Sequence, residues 1–239
     1  MRKIKFTAIL LCVTMILSGC GSMNNTTKGG LLGGGGGAAL GAVVGGLIGK
    51  GKGAAIGAGI GAAVGAGAGV LIGKKMDKAA AEAAAIEGAQ VEQVTDNNGL
   101  QAVKVTFDSG ILFGTGASTL SSSAKASLSN FANNVLKQNA NMDVSIFGFT
   151  DNQGWKNSTA EQSKQKNLDL SQERAQSVST YLLSCGVASS QIKGVQGLGE
   201  ESPVADNSTA AGRQENRRVE VYMYASQQMI QQAEAGLLQ

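Results

Sequence analysis

An aspartate and an arginine carry the most specific chemistry in this chain. Asp151 closes the run Gly148-Phe149-Thr150-Asp151, just past the end of an apolar stretch. Arg174 closes Asn167-x-x-Leu170-Ser171-x-x-Arg174-Ala175, at the expected start of a helix. With Ser171 as the N-cap, Arg174 falls at the third helical position, where unpaired backbone N–H groups and the helix dipole already favour an anion. A guanidinium there adds a planar fork matched to a carboxylate, worth about 1.5–3 kcal/mol for a charge-assisted bond. Asp151 supplies the opposite pole, for an ammonium. Together they make a two-pronged receptor for a zwitterion. The alternative is that the two residues pair with each other in an exposed bridge worth ~0–1 kcal/mol.

Other chemistries are excluded or unsupported. The sequence has no histidine, which removes Ser-His-Asp triads, histidine general bases and histidine-ligated zinc. A carboxylate pair or a Ser-Lys dyad finds no spaced motif. The residues therefore point to a binding module rather than an enzyme, with no metal and no cofactor.

The three segments, completed by Asn216-Arg217-Arg218-Val219-Glu220, resemble the OmpA-like C-terminal domain over roughly residues 91–224. That resemblance implies an α+β fold, a βαβαβ sandwich with helices against one face of a mixed sheet. It also implies non-covalent binding of peptidoglycan through the diaminopimelate (DAP) of its stem peptides. Asp151 and Arg174 would hold the ligand, with Thr150, Asn167 and Leu170 beside them. A DAP terminus presents an ammonium and a carboxylate on one carbon, so a pocket with both poles selects it over a lysine peptide. Arg217 and Arg218 read as fold-internal partners of acidic neighbours, and Gly197-Leu198-Gly199-Glu200 as a turn and packing signature. The polar run Trp155–Lys166 is longer than the family commonly carries here. It is either an inert surface insertion or a lid whose Trp155 touches sugar or peptide.

The elements that must position these residues follow from periodicity. Val91–Thr95 and Leu100–Phe107 flank the turn signal Asp96-Asn97-Asn98-Gly99. A short strand is expected at Ile111–Phe113, then a helix over Ser122–Gln138 with Leu128, Phe131, Ala132 and Val135 on one face. Val144, Ile146 and Gly148 mark a strand, Ser171–Cys185 a second helix, Ile192 and Val195 another strand, and Val219, Val221 and Met223 the last. Cys185, next to the expected helix-ending Gly186, reads as a small packed hydrophobe.

The ends of the chain speak to address. Residues 1–19 read as a signal peptide: basic Arg2, Lys3 and Lys5, then the apolar stretch Phe6–Leu17. Leu17-Ser18-Gly19-Cys20 looks like a bacterial lipobox, with Cys20 the lipidated residue, and Gly21 after it implies, by resemblance to enterobacterial lipoproteins, sorting to the outer membrane. Removing three of the 20 basic residues leaves 17 against 17 acidic ones, so net charge gives no argument for nucleic acid. Segment 20–28 is then a lipidated linker.

Segment 29–75 is a glycine ladder, with Gly at every fourth position from Gly29 to Gly73. On a helix these residues share one face, the small-xxx-small logic of close membrane helix pairing. Lys50 and Lys52 divide it into two uncharged stretches of about 20 residues, near the length of a bilayer core. The ladder reads as a membrane-associated helical hairpin, or else as a flexible or self-associating linker. Residues 76–90 read as a semi-rigid helical spacer, 91–225 as the binding domain and 226–239 as a tail. Three functions are open: first, a lipoprotein tether between outer membrane and cell wall; second, a membrane-active or homo-oligomer-forming glycine zipper that the domain merely localises. An envelope hydrolase is the third and least supported.

Overall fold

The computed structural model describes residues 66–95 and 101–238. The signal peptide, Cys20, the ladder as far as residue 65 and the turn Asp96–Gly99 lie outside them. The described elements run α1 (Ala66–Ala84), β1 (Ala89–Thr95), β2 (Gln101–Asp108), α2 (Ser109–Leu112), α3 (Ser122–Phe131), β3 (Met142–Gly148), α4 (Ala160–Ser184), β4 (Ile192–Gly197), α5 (Ala210–Asn216), β5 (Arg218–Ala225) and α6 (Gln227–Glu234).

One five-stranded sheet has the order β1-β2-β5-β3-β4. Only β3 and β4 are parallel; the other neighbours are antiparallel. The alternation in β2, β3 and β5 sends Val103, Val105, Phe107, Val144, Ile146, Val219, Val221 and Met223 into one core with the helices. The opposite face holds a smaller cluster around Val94, Ala102, Phe147, Phe149, Leu198 and Tyr222. There Arg218 Nε lies 2.6 Å from Glu220 Oε1, and Tyr222 donates to Glu220 Oε2 at 2.7 Å. This is the expected α+β architecture, with the helices against one face of a mixed sheet.

Three local expectations are corrected and one is refined. Residues 76–90 are no free spacer: α1 reaches back to Ala66 and its Ile72, Met76, Ala79 and Ala83 are fully buried in the main core. Their spacing is that of one helix face, and α6 of the C-terminal tail packs against α1 with Met229, Ile230 and Ala233 buried. The last rungs of the ladder, Gly69 and Gly73, thus belong to a helix docked on the domain.

Ile111–Phe113 is not a strand. Asp108 caps the one-turn α2 by accepting from Gly110 N, and only Phe113 bridges, to Leu120. The helix expected at Ser122–Gln138 is regular to Phe131 and continues as a wider π turn over Ala132–Leu136.

The last correction bears on the site. α4 begins at Ala160, not Ser171, because Thr159 and Gln162 form a reciprocal capping box. Most of the supposed insertion is therefore the first two turns of that helix. Ser171 is interior and fully buried, its hydroxyl bonded to Leu168 O at 2.6 Å.

Glycines set how closely α4 approaches the sheet. Gly148 and Gly197 are register partners on β3 and β4. A Cβ at Gly148 would lie 2.1 Å from Ser171 O, and one at Gly197 2.2 Å from Gln172 N. Without side chains at both positions, the helix backbone rests directly on the parallel pair, one turn before Arg174. Gly199, at φ +56, turns the chain against Leu168.

Candidate functional site

Three loops and the middle of α4 converge beyond the end of β3. Phe149 and Thr150 leave the strand, tied by Phe149 N to Arg218 O (2.9 Å) and Thr150 N to Gly199 O (2.7 Å). Asp151 follows, 7% exposed. Its Oδ1 accepts from Gln153 N at 3.0 Å, and its Oδ2 accepts from Arg217 Nη1. Arg217 also donates through Nη2 to Gln214, whose amide donates to both oxygens of Asp108 at 2.6 and 2.7 Å. A chain of polar contacts thus runs from β2 to Asp151.

Arg174 is treated differently. It is 3% exposed, sits mid-helix, and makes one hydrogen bond, from Nε to Ala117 O at 3.0 Å. Its guanidinium carbon lies 5.2 Å from the Phe113 ring centroid. It forms no salt bridge, and its two Nη groups have no partner among the described residues. Burial pushes its pKa down, the neighbouring Arg217 cation adds to this, and Asp151 opposes it. The geometry corrects one expectation and removes the alternative to the two-pronged site. Arg174 receives no help from a helix N-terminus, and Asp151 pairs with Arg217 rather than with Arg174.

The remaining residues fall as follows. Thr150 is 5% exposed and its Oγ1 is buried without a hydrogen-bond partner. Asn167, also buried, is fully engaged: its Oδ1 accepts from Trp155 Nε1 at 2.7 Å, and its Nδ2 donates to Gln153 O at 3.2 Å and Asp151 O at 3.4 Å. It holds the Asp151 loop instead of facing solvent. Leu170 is half-buried on α4.

The Asn-Arg-Arg segment divides its work. Asn216 staples the 204–207 loop through Val204 N, Ala205 N, Ala205 O and Asn207 Oδ1. Arg218 pairs with Glu220 and stacks at 3.8 Å over Phe149, as a fold-internal ion. Arg217 also pairs with an acidic residue, but with Asp151 at the site rather than with Glu220. Adjacent residues point to opposite sides, so only Arg218 can share a strand face with Glu220. That simple parity could have released Arg217 toward Asp151 at the sequence level. Among the described residues no cluster of His, Cys, Asp and Glu is suited to a metal.

Comparison with known proteins matches this picture. Residues 112–217 match the OmpA family, and residues 1–77 match the YMGG-like Gly-zipper. The chain is 40% identical over 119 residues to the probable lipoprotein YiaD of Escherichia coli, covering 49% of this chain and 46% of that one. It is 45% identical over 78 residues to the peptidoglycan-binding protein ArfA of Mycobacterium bovis, covering 33% of this chain and 21% of that one. The chain thus spans less than half the length of either relative. A MotB-like protein from Desulfovibrio vulgaris superposes with a TM-score of 0.54 at 25% identity, over 66% of this chain and 96% of that one. By these matches the chain joins a YMGG-like Gly-zipper segment, residues 1–77, to an OmpA-family segment, residues 112–217.

Proposed function

We propose that the domain binds peptidoglycan non-covalently and ties it to the outer membrane, where the chain is held by lipid on Cys20. Arg174 takes the carboxylate of a DAP stem peptide, and Asp151 takes the ammonium on the same carbon. The observation that carries this reading is Arg174: a residue only 3% exposed, with no partner for either Nη group among the described residues, beside a second arginine whose charge is already matched. A buried cation without a counter-charge costs several kcal/mol. A ligand carboxylate removes that cost and gains a bidentate contact. Asp151 has used about two of its roughly four lone-pair sites, so it can still accept an ammonium. The orphaned Thr150 hydroxyl offers a further contact. The domain acts as a receptor without catalysis. The relative named for peptidoglycan binding and the lipobox at Cys20 support the two ends of the tether.

The test is sedimentation of the full-length chain, in mild detergent, with purified DAP-type sacculi. Binding competed by free meso-diaminopimelate but not by lysine is expected. Failure to sediment, or equal competition by lysine, contradicts the reading.

The Gly-zipper match over residues 1–77 favours a second activity alongside it, self-association through the ladder. Leu at Gly41, Gly45, Gly57 and Gly61 would then abolish oligomers and spare wall binding, because added bulk separates the helix backbones. Unchanged oligomers on size exclusion would reduce the ladder to a linker.

A further inference from the structure

We infer that Trp155 is a positioning residue for the ligand site, acting through Asn167 on the backbone that carries Asp151. The inference rests on the proposed reading of that site. The indole Nε1 donates to Asn167 Oδ1 at 2.7 Å, the shortest bond Asn167 makes. That bond fixes which end of the amide is the acceptor, and so turns Nδ2 toward Gln153 O and Asp151 O. Gln153 N in turn donates to Asp151 Oδ1 and orients the carboxylate. The loop is anchored once more by Trp155 N to Ser163 Oγ at 3.0 Å, with Ser163 buried on the first turn of α4.

The two extra turns of α4 therefore have a purpose that an inert insertion lacks. They supply Ser163, hold Lys166 5.8 Å above the indole ring, and give the tryptophan a floor. The indole has spent its only donor inside the loop. Its effect on ligand is indirect, through the aim of Asp151.

The chain has one tryptophan, so its indole N–H gives a single resonance in a proton–nitrogen spectrum. In the full-length chain in detergent, that resonance should shift when a DAP-containing muropeptide is added, and stay fixed in Asp151→Ala. Trp155→Phe keeps the ring and removes the donor. It should weaken muropeptide binding about three- to tenfold, the range for one neutral hydrogen bond. In the Asp151→Ala background the same substitution should cost nothing further, since its effect passes through Asp151.

Wild-type affinity in Trp155→Phe, an unmoved indole resonance, or an undiminished loss in the Asp151→Ala background would each overturn the inference. If Asp151→Ala itself binds like wild type, the underlying site reading falls too. If Asp151→Ala loses binding while Trp155→Phe does not, only the positioning role is lost.

Discussion

Met76 tests whether the helix leading out of the glycine ladder is part of the domain. It is fully buried on α1, one turn from Ile72 and in one core with Val103 and Val105 of β2. Truncating a buried methionine to alanine removes its transfer free energy and leaves a cavity, together about 2–5 kcal/mol. At about 2–4 °C per kcal/mol for a domain of this size, Met76→Ala should lower the melting temperature by roughly 5–20 °C. Ile72→Ala should do the same. The pair should cost less than the sum, because once α1 undocks as a unit there is no further packing to lose. Val70, 58% exposed on the same helix, is the control: Val70→Ala should stay within ~0.5 kcal/mol of wild type. Thermal melts of the full-length chain, with limited proteolysis around residues 84–89, read the outcome. A melting temperature unchanged in Met76→Ala and Ile72→Ala would restore the segment to a solvated spacer. A soluble fragment should accordingly begin near Ala66 and keep α6, rather than run from Val91 to Tyr224.

Three further outcomes follow from particular contacts. Gly148→Ala puts a Cβ 2.1 Å from Ser171 O, so α4 must retreat from β3. A loss of about 1–3 kcal/mol or more is expected in denaturant titrations, with weakened sacculus binding because Arg174 moves with the helix. Glu220→Ala strands Arg218, itself 4% exposed, and should cost about 3–5 kcal/mol, whereas Glu220→Gln, which keeps an acceptor, should cost less in the same melts. Burial raises the pKa of Asp143 against the opposing pull of Lys193. Its protonated form is then the one the fold favours, so its contribution is fully present below the ordinary aspartate pKa and is lost as pH rises through the raised value. Asp143→Asn should therefore melt higher than wild type at pH 7, with the gain disappearing toward pH 3; a lower melting temperature at pH 7 would show that Lys193 dominates.

Much of this arrangement was legible in the sequence, and the misses have physical causes. Strict alternation in Arg218–Tyr224 and Val144–Gly148 reported strands with one core face, and both formed as expected. The stripe Leu128, Phe131, Ala132, Val135 reported α3. The docking of α1 was hidden because Ala79, Ala80 and Ala83 sit in an alanine-rich run, where no stripe stands out from its surroundings. The first turns of α4 were hidden for the opposite reason: their buried positions are Ser163 and Asn167, polar residues that no hydrophobic period marks. The capping pair Thr159 and Gln162 was the available signal. Starting the helix eleven residues late then placed Arg174 in a first turn that it does not occupy. At the site, residue types were legible while pairings were not, since a sequence shows which charges are present and packing decides which of them meet.

The central claim is that the unpartnered charge of Arg174 exists for a ligand, and Arg174→Met addresses it most directly. Methionine keeps an unbranched apolar side chain near Phe113, whose ring the guanidinium carbon approaches to 5.2 Å, and removes the buried cation. If Arg174 holds a ligand carboxylate, affinity for DAP-type sacculi should fall about ten- to a hundredfold, matching the loss of a charge-assisted bond. The melting temperature should meanwhile hold or rise, because an uncompensated buried charge has been removed. Wild-type affinity in Arg174→Met, or a loss of binding that comes with a clearly lowered melting temperature, would contradict the account and make Arg174 a structural residue.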